Sequence, residues 1–337
     1  SVDGISAGGR AETWVTDKLR FGLSGARETT GVADNTLMGA DVLWRHSEGS
    51  WLSFELAQSE GPGFGSTFSL NGGLDLDPAN PSAGIAGKRA MGVRLEGRAD
   101  LADFGAKGYV SAYYDDREAG FTSPDLDVGT AQTTFGLEGE VALNDRMALT
   151  FGADRFDNSG IKERTDARVG LSYDMDPAYT LDVEVATTDR SAPGSTLAED
   201  NGSRTDLGAR LTWTRDEDLS AWVFGQVTAD HGGTLGRNDR LGLGAEARLS
   251  EALTVMAEAS DGSLGAAGKL EMAWAPNADT TYTMGYRQDP LRMEDSTTVT
   301  GHDRGTLVLG AESRINDAWR YNAEHSYSAF GSEPALT

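Results

Sequence analysis

The charged residues of this chain are spaced for a surface rather than for a reaction centre. Arg94, Glu96, Arg98, Glu138, Glu140, Arg146, Asp182, Glu184, Arg210, Glu246, Arg248, Glu258 and Glu271 stand among small or apolar neighbours in alternating runs. Along the side of a wet channel such groups select solutes by charge. Coupled as Arg-Glu pairs between adjacent strands, they brace the wall and fill the interior instead. Both signs occur side by side, which favours the braced wall.

Acidic clusters in the polar connections offer a second chemistry. Asp75 with Asp77, Asp125 with Asp127, Glu199 with Asp200 and Asn201, and Asp230 with Asn238 and Asp239 carry the oxygen ligands that calcium takes. None has the spacing of a known calcium loop, so the default is solvated acid, or divalent ions bridging to lipid phosphates. The histidines, His46, His231, His302 and His325, show no pairing that suggests zinc. An esterase would need Ser and His brought together. His325 with Ser326 or Ser328 is the candidate, and adjacent strand residues point to opposite faces. Asp261-Gly262 is a turn, because no strand-to-helix transition follows it as a phosphate loop requires. No enzyme and no cofactor are expected, calcium at Asp75, Asp77, Asp125 and Asp127 being the one weak candidate.

The elements that position these groups are strands. From Glu138 to Thr188, Met147, Leu149, Phe151 and Ala153 alternate with Arg146, Ala148, Thr150, Gly152 and Asp154. Leu181, Val183 and Val185 then alternate with Asp182 and Glu184. A period of two puts the apolar set on one face and the charged set on the other. Tight turns at Asn144-Asp145 and Asp176-Pro177 lie at one end, and longer polar connections such as Asp157 to Glu163 at the other. The pattern recurs through Leu241, Leu243, Ala245 and Ala247, and through Leu270, Met272 and Trp274 before a Pro276-Asn277 turn. Further short turns are read at Asp17-Lys18, Glu48 to Ser50, Asp100 to Asp103, Arg215 to Asp218, Glu251 and Asn316-Asp317. About 18 strands result, of roughly the 9–11 residues that a tilted membrane strand requires.

Composition fits that reading. The 337 residues include 43 glycines, no cysteine and 38% hydrophobic residues, with a formal charge of -24. Twenty-nine basic against 53 acidic residues argue against a nucleic-acid partner. No apolar run reaches the roughly 20 residues of a spanning helix. A chain that crosses a membrane without one must do so as a closed barrel, whose strands satisfy each other's backbone groups. A mean hydropathy of -0.41 allows this, since half of each barrel strand faces water. The charged residues named first would then face the lumen. Met147, Leu149, Phe151, Leu181, Val183, Val185, Leu241 and Leu243 would face lipid. Trp51, Tyr173, Tyr179, Trp213, Trp222, Trp274, Tyr282, Tyr286 and Trp319 near strand ends suit a headgroup girdle.

Residues 1–9 read as a flexible lead-in and 10–337 as the barrel, incomplete at both ends, since both termini border a short turn. Gly61 to Gly87 is the longest connection, an external loop or one that folds in over the pore.

The run Gly244-Ala245-Glu246-Ala247-Arg248-Leu249-Ser250, with Val255 to Gly262, Ala273-Trp274-Ala275-Pro276 and Tyr282-Thr283-Met284-Gly285-Tyr286, resembles a family of proteobacterial outer-membrane barrels. These form the C-terminal part of very long surface proteins and are loosely labelled TonB-dependent-receptor-like or OmpA-like. Glu333 to Thr337 resembles an internal segment of that family, after which further strands follow. The resemblance covers about the last hundred residues and is one of pattern before that. It implies an all-β, antiparallel up-and-down transmembrane β-barrel, a fragment of a larger one, in the outer membrane of a Gram-negative bacterium. Its implied partners are outer-membrane lipid, lipopolysaccharide and further domains or strands of the same long chain, with no nucleic acid. The implied role is a membrane anchor or translocation wall. The alternatives are a porin-like channel for small solutes and a soluble acidic β-rich adhesin. No plug domain, TonB-contact segment or peptidoglycan-binding module is recognisable, so receptor activity is not carried over.

Overall fold

A computed structural model describes residues 4–29, 34–62, 88–123, 126–197, 200–288, 305–316 and 319–329, of which 127, 305, 306 and 326–329 are described by backbone alone. Its regular elements with described bounds are strands and a 3-10 turn, Leu101–Phe104. They begin with β1 (Ser6–Thr16), β2 (Leu19–Glu28), β3 (Asn35–Arg45), β4 (Trp51–Glu60), β5 (Arg89–Asp100) and β6 (Gly108–Arg117). Two short strands, β7 (Thr122–Ser123) and β8 (Leu126–Asp127), precede β9 (Gln132–Asn144), β10 (Met147–Asn158), β11 (Lys162–Asp176) and β12 (Tyr179–Ser191). The series continues with β13 (Gly202–Asp216), β14 (Leu219–Gly233), β15 (Arg240–Ser250) and β16 (Leu253–Gly262). It closes with β17 (Ala267–Asn277), β18 (Thr280–Gln288), β19 (Gly305–Arg314) and β20 (Arg320–Ala329). Eighteen strands belong to one antiparallel sheet, and β7 with β8 make a separate ribbon.

The chain divides into two compact units, Ser1–Leu143 with Ala148–Val169 and Thr188–Gly202, and Asn144–Met147 with Gly170–Thr187 and Ser203–Thr337. In the first unit, β1 to β6 and then β9 pair in sequence order. In the second, β14 to β20 do the same. No helix among the described residues is long and apolar enough to cross a membrane.

Six of the short turns share one device. Each of the six follows a strand whose last residue carries a side-chain oxygen, and that oxygen accepts from the N–H two residues on. Thr16 accepts from Lys18, Asn144 from Arg146, and Asp176 from Ala178. Asp216 accepts from Asp218, Ser250 from Ala252, and Asn277 from Asp279. Such a bond closes a turn without the left-handed residues that a primed hairpin needs. The register then slips by a residue beside the turn, between Trp14 and Thr16, Arg248 and Ser250, and Trp274 and Asn277. A bulge there adds right-handed twist, which an unprimed turn alone does not supply.

Several expected boundaries move. The first strand starts at Ser6, inside the expected lead-in, because Gly8 and Gly9 pair through backbone with Ala26 and Gly25. Pro276 and Asn277 end a strand, and the turn falls on the next two residues, where the Asn277 cap places it. Asp157 and Glu163 lie inside β10 and β11, whose connection is only residues 159–161. Ser159 at φ 26° and Gly160 at φ 79° make that tightness possible. The Asp100 to Asp103 connection is the 3-10 turn, with Asp100 accepting from the Ala102 N–H. Residues 63–87, most of the connection expected as an external loop or a fold-in over the pore, lie outside the described residues, as do Asp317 and Glu333 to Thr337.

Burial runs opposite to that of a water-soluble protein. In the first unit Phe21, Leu23, Met38, Leu52, Phe54 and Leu95 share one face with exposed rings and chains, while Asp41, Ser59 and Asp115 on the other face are buried. In the second unit Leu241 and Leu243 are 73% and 62% exposed, and their cross-strand partners on that face are Asp261, Ala259, Gly225 and Val223.

Candidate functional site: the polar faces of the sheet

The first unit carries a continuous ionic layer on its polar face. Asp41, buried on β3, lies 2.6 Å from the Arg10 guanidinium and 3.8 Å from that of Arg20, and Arg20 also reaches Glu12 at 3.2 Å. Gly22 lies beneath this cluster. A Cβ there would fall 2.3 Å from the Asp41 carboxylate, so the pair requires glycine. Further along, Arg94 pairs with Glu96 and reaches Asp115 at 3.7 Å, and Asp115 pairs with Arg117 at 2.8 Å. Tyr113 donates to Asp154, and Ser111 donates to Glu138. Arg98 stacks over the Tyr109 ring at 4.0 Å, beside Glu140, the cross-strand neighbour of Tyr109.

Many of these pairs run along a strand rather than across strands as the sequence reading expected. Arg10 with Glu12, Arg94 with Glu96, Arg164 with Asp166, Arg204 with Asp206 and Lys269 with Glu271 are all two residues apart. Side chains two apart share a strand face, so the basic-x-acidic spacing is itself the signal.

The second unit centres on Trp222. Its ring lies against Gly244, whose Cβ would come within 2.4 Å of it, and Phe224 covers Gly242 in the same way. The indole N–H donates to Glu258 at 2.8 Å, and Arg210 sits 4.4 Å from the ring centroid. Asp182, Glu184, Arg210 and Glu258 line one groove of about 300 Å³, and Glu246 and Glu271 line another of about 600 Å³ together with Lys269. Trp222 is thus buried on the polar face and is not part of a headgroup girdle. Trp51 also lies on a polar face, as the cross-strand partner of Arg98. Trp274 and Tyr282 stack on the apolar face at 5.4 Å and fit the girdle position. Arg146 occupies a two-residue turn rather than a strand face, and Arg248 reaches Asp218 beside another turn at 3.4 Å.

The acidic connections are occupied by tethering. Ser195 donates to Asp200 at 2.6 Å and Lys162 lies 3.3 Å away, which holds the Asp200 carboxyl below its ordinary value. Asp239, held low by Arg237 and by the Thr228 N–H, anchors the connection between β14 and β15. Ser47 and Ser50 both donate to Asp103 and hold it low. Among the described residues no group of three or more His, Asp or Glu is arranged to hold a metal. Asp75, Asp77 and Asp125 lie outside the described residues, and of Asp127 only the backbone is described. His46 stacks with Phe104, His231 meets the Leu235 carbonyl, and His325 pairs with Leu309 on the apolar face.

An antiparallel all-β wall with one apolar and one ionic face is the fold of outer-membrane β-barrels. The FrpB iron transporter from Neisseria meningitidis shares it at 9% identity and a TM-score of 0.53, over 97% of this chain and 67% of that one. The siderophore receptor PirA from Acinetobacter baumannii and the ferric-catecholate import receptor Fiu from E. coli K12 match at 12% and 10% identity, with TM-scores of 0.49 and 0.48. These alignments cover 100% and 96% of this chain and 70% and 69% of the receptors. The fold assignment rests on the first. The solved neighbours are TonB-dependent receptors and transporters of the Gram-negative outer membrane, not enzymes. No protein-family model matches the chain, and no curated protein matches it.

Proposed function

We propose that this chain is a membrane-spanning wall of an outer-membrane β-barrel, its apolar faces against lipid and its polar faces toward a wet interior that small solutes enter. The inverted burial carries the reading. Leu241, Leu243, Val183 and Val185 are 73%, 62%, 40% and 47% exposed on strands that also carry Glu246, Asp182 and Glu184 in the alternate positions. Moving such side chains out of water is worth roughly 1.5–3 kcal/mol each, so lipid rather than water is their solvent. Met147, Leu149, Phe151 and Leu181 share the parity of this lipid-facing set. A soluble adhesin would leave the whole set in water. Likeness to a transporter supports passage of solutes as the class of activity.

A second reading, anchor or translocation wall of a long surface protein, draws support from the in-strand ion pairs, which neutralise groups that would otherwise select ions. Acidic connections facing lipopolysaccharide, with calcium bridging to its phosphates, fit either reading. Planar-bilayer recording of the refolded chain separates them. Steady, ion-selective openings are expected, and a folded protein that never opens would leave the anchor.

A further inference from the structure

We propose that the connection from β6 to β9, through its described residues 118–123 and 126–131, is a built-in constriction that folds inward over the polar face of the first unit and limits by size what passes along it. The proposal rests on the reading that this face borders water. At this end of the face, Leu37, Ala57, Ala90 and Gly92 occupy the positions that Asp41, Glu55 and Arg94 hold further along the same strands. The connection lands on that apolar patch. Phe121 and Val128, 6% and 0% exposed, form with Ala90 a buried apolar cluster that Leu37, Ala57 and Leu126 flank. The Phe121 ring lies over Gly92, where a Cβ would come within 3.1 Å of it.

Polar tethers fix the position. The Thr122 N–H donates to Ser59 Oγ at 2.9 Å, and Ser59 is itself buried on the polar face. Gly120, at φ 91°, donates to the Val128 carbonyl, and Val128 donates to that of Phe121. Glu118 clasps Met91 twice, its N–H donating to the Met91 carbonyl and its carboxylate accepting from the Met91 N–H. Neighbouring antiparallel strands need only about two to five residues to join them. A longer connection that buries an aromatic ring on an otherwise ionic face is built to cover that face. Packed and hydrogen-bonded at both ends, it is a fixed narrowing rather than a swinging lid.

The absence of cysteine allows a direct test in lipid vesicles. Ser59→Cys, Ser111→Cys and Leu241→Cys are each made in the full chain and exposed to a charged maleimide. Ser59→Cys is expected to react roughly tenfold or more slowly than Ser111→Cys, because it reacts only when the ribbon opens. Adding Phe121→Ser with Val128→Ser, or pushing from the wall side with Gly92→Val, should bring the two rates together. The loosened chains should also admit larger sugars in vesicle swelling. Equal rates at the two serine positions in the parent, or swelling unchanged in loosened chains that still fold, would overturn the constriction. Fast reaction at Leu241→Cys would instead overturn the lipid-facing orientation beneath it.

Discussion

Trp222 draws its role from three neighbours at once: Gly244 gives its ring a floor, Arg210 stacks on it, and Glu258 accepts from its N–H. Removing the acceptor leaves a buried donor unpaired. Glu258→Ala should therefore lower stability by about 1–3 kcal/mol, with Glu258→Gln recovering much of it, as read from urea midpoints in vesicles. On the opposite face Leu243→Arg should cost roughly 2–4 kcal/mol if it lies at mid-depth, while Glu246→Gln costs far less. That these segments are strands with two unlike faces was legible from period two alone. The aromatic rings were less so. Indole suits headgroups, which points Trp222 to a girdle, but its parity with Ser220 and Gln226, rather than with Val223, marks it as polar-facing. The glycines at 242 and 244, on the matching face of the next strand, completed that signal.

At the scale of the element, six short turns are set by the last residue of the preceding strand. Asp176 accepts from both Ala178 and Tyr179, at 2.7 and 3.0 Å. Asp176→Ala should destabilise the hairpin by about 1 kcal/mol per bond lost, and Asp176→Asn, which keeps the carbonyl oxygen, much less. Gly244→Ala tests the neighbouring contact. A Cβ 2.4 Å from the Trp222 ring should cost about 1–3 kcal/mol through overpacking. The alternation of short and long connections was plain in the Asp, Asn and Ser residues that punctuate the chain. Strand ends were not, because a capping side chain lets pairing run on through residues that look like turn, as at Pro276 and Asn277. The inward ribbon was hidden for another reason: Phe121 and Val128 sit in a polar stretch with no periodicity to mark them.

For the molecule as a whole, acid is the lever. Asp103 and Asp200 lie outside the strands of the large sheet and titrate below the ordinary carboxylate value of 3.8. A carboxyl whose folded pKa is depressed stabilises fully above its unfolded pKa, and loses that contribution as pH falls through the folded one. Amide protection, taken relative to the intrinsic exchange rate at each pH, should fall in residues 192–197 and 200–201 as pH drops below about 4, and fall less in a Lys162→Gln chain that already lacks one cause of the shift. A formal charge of -24 adds a general acid response, since protonating the surplus carboxylates relieves self-repulsion. Gly160, at φ 79° with open space where a Cβ would lie, stands at the tip of a connection that the Ile161 N–H to Asn158 bond closes. A foreign epitope spliced in at that glycine would be carried without disturbing either flanking strand, which makes this hairpin a ready graft point.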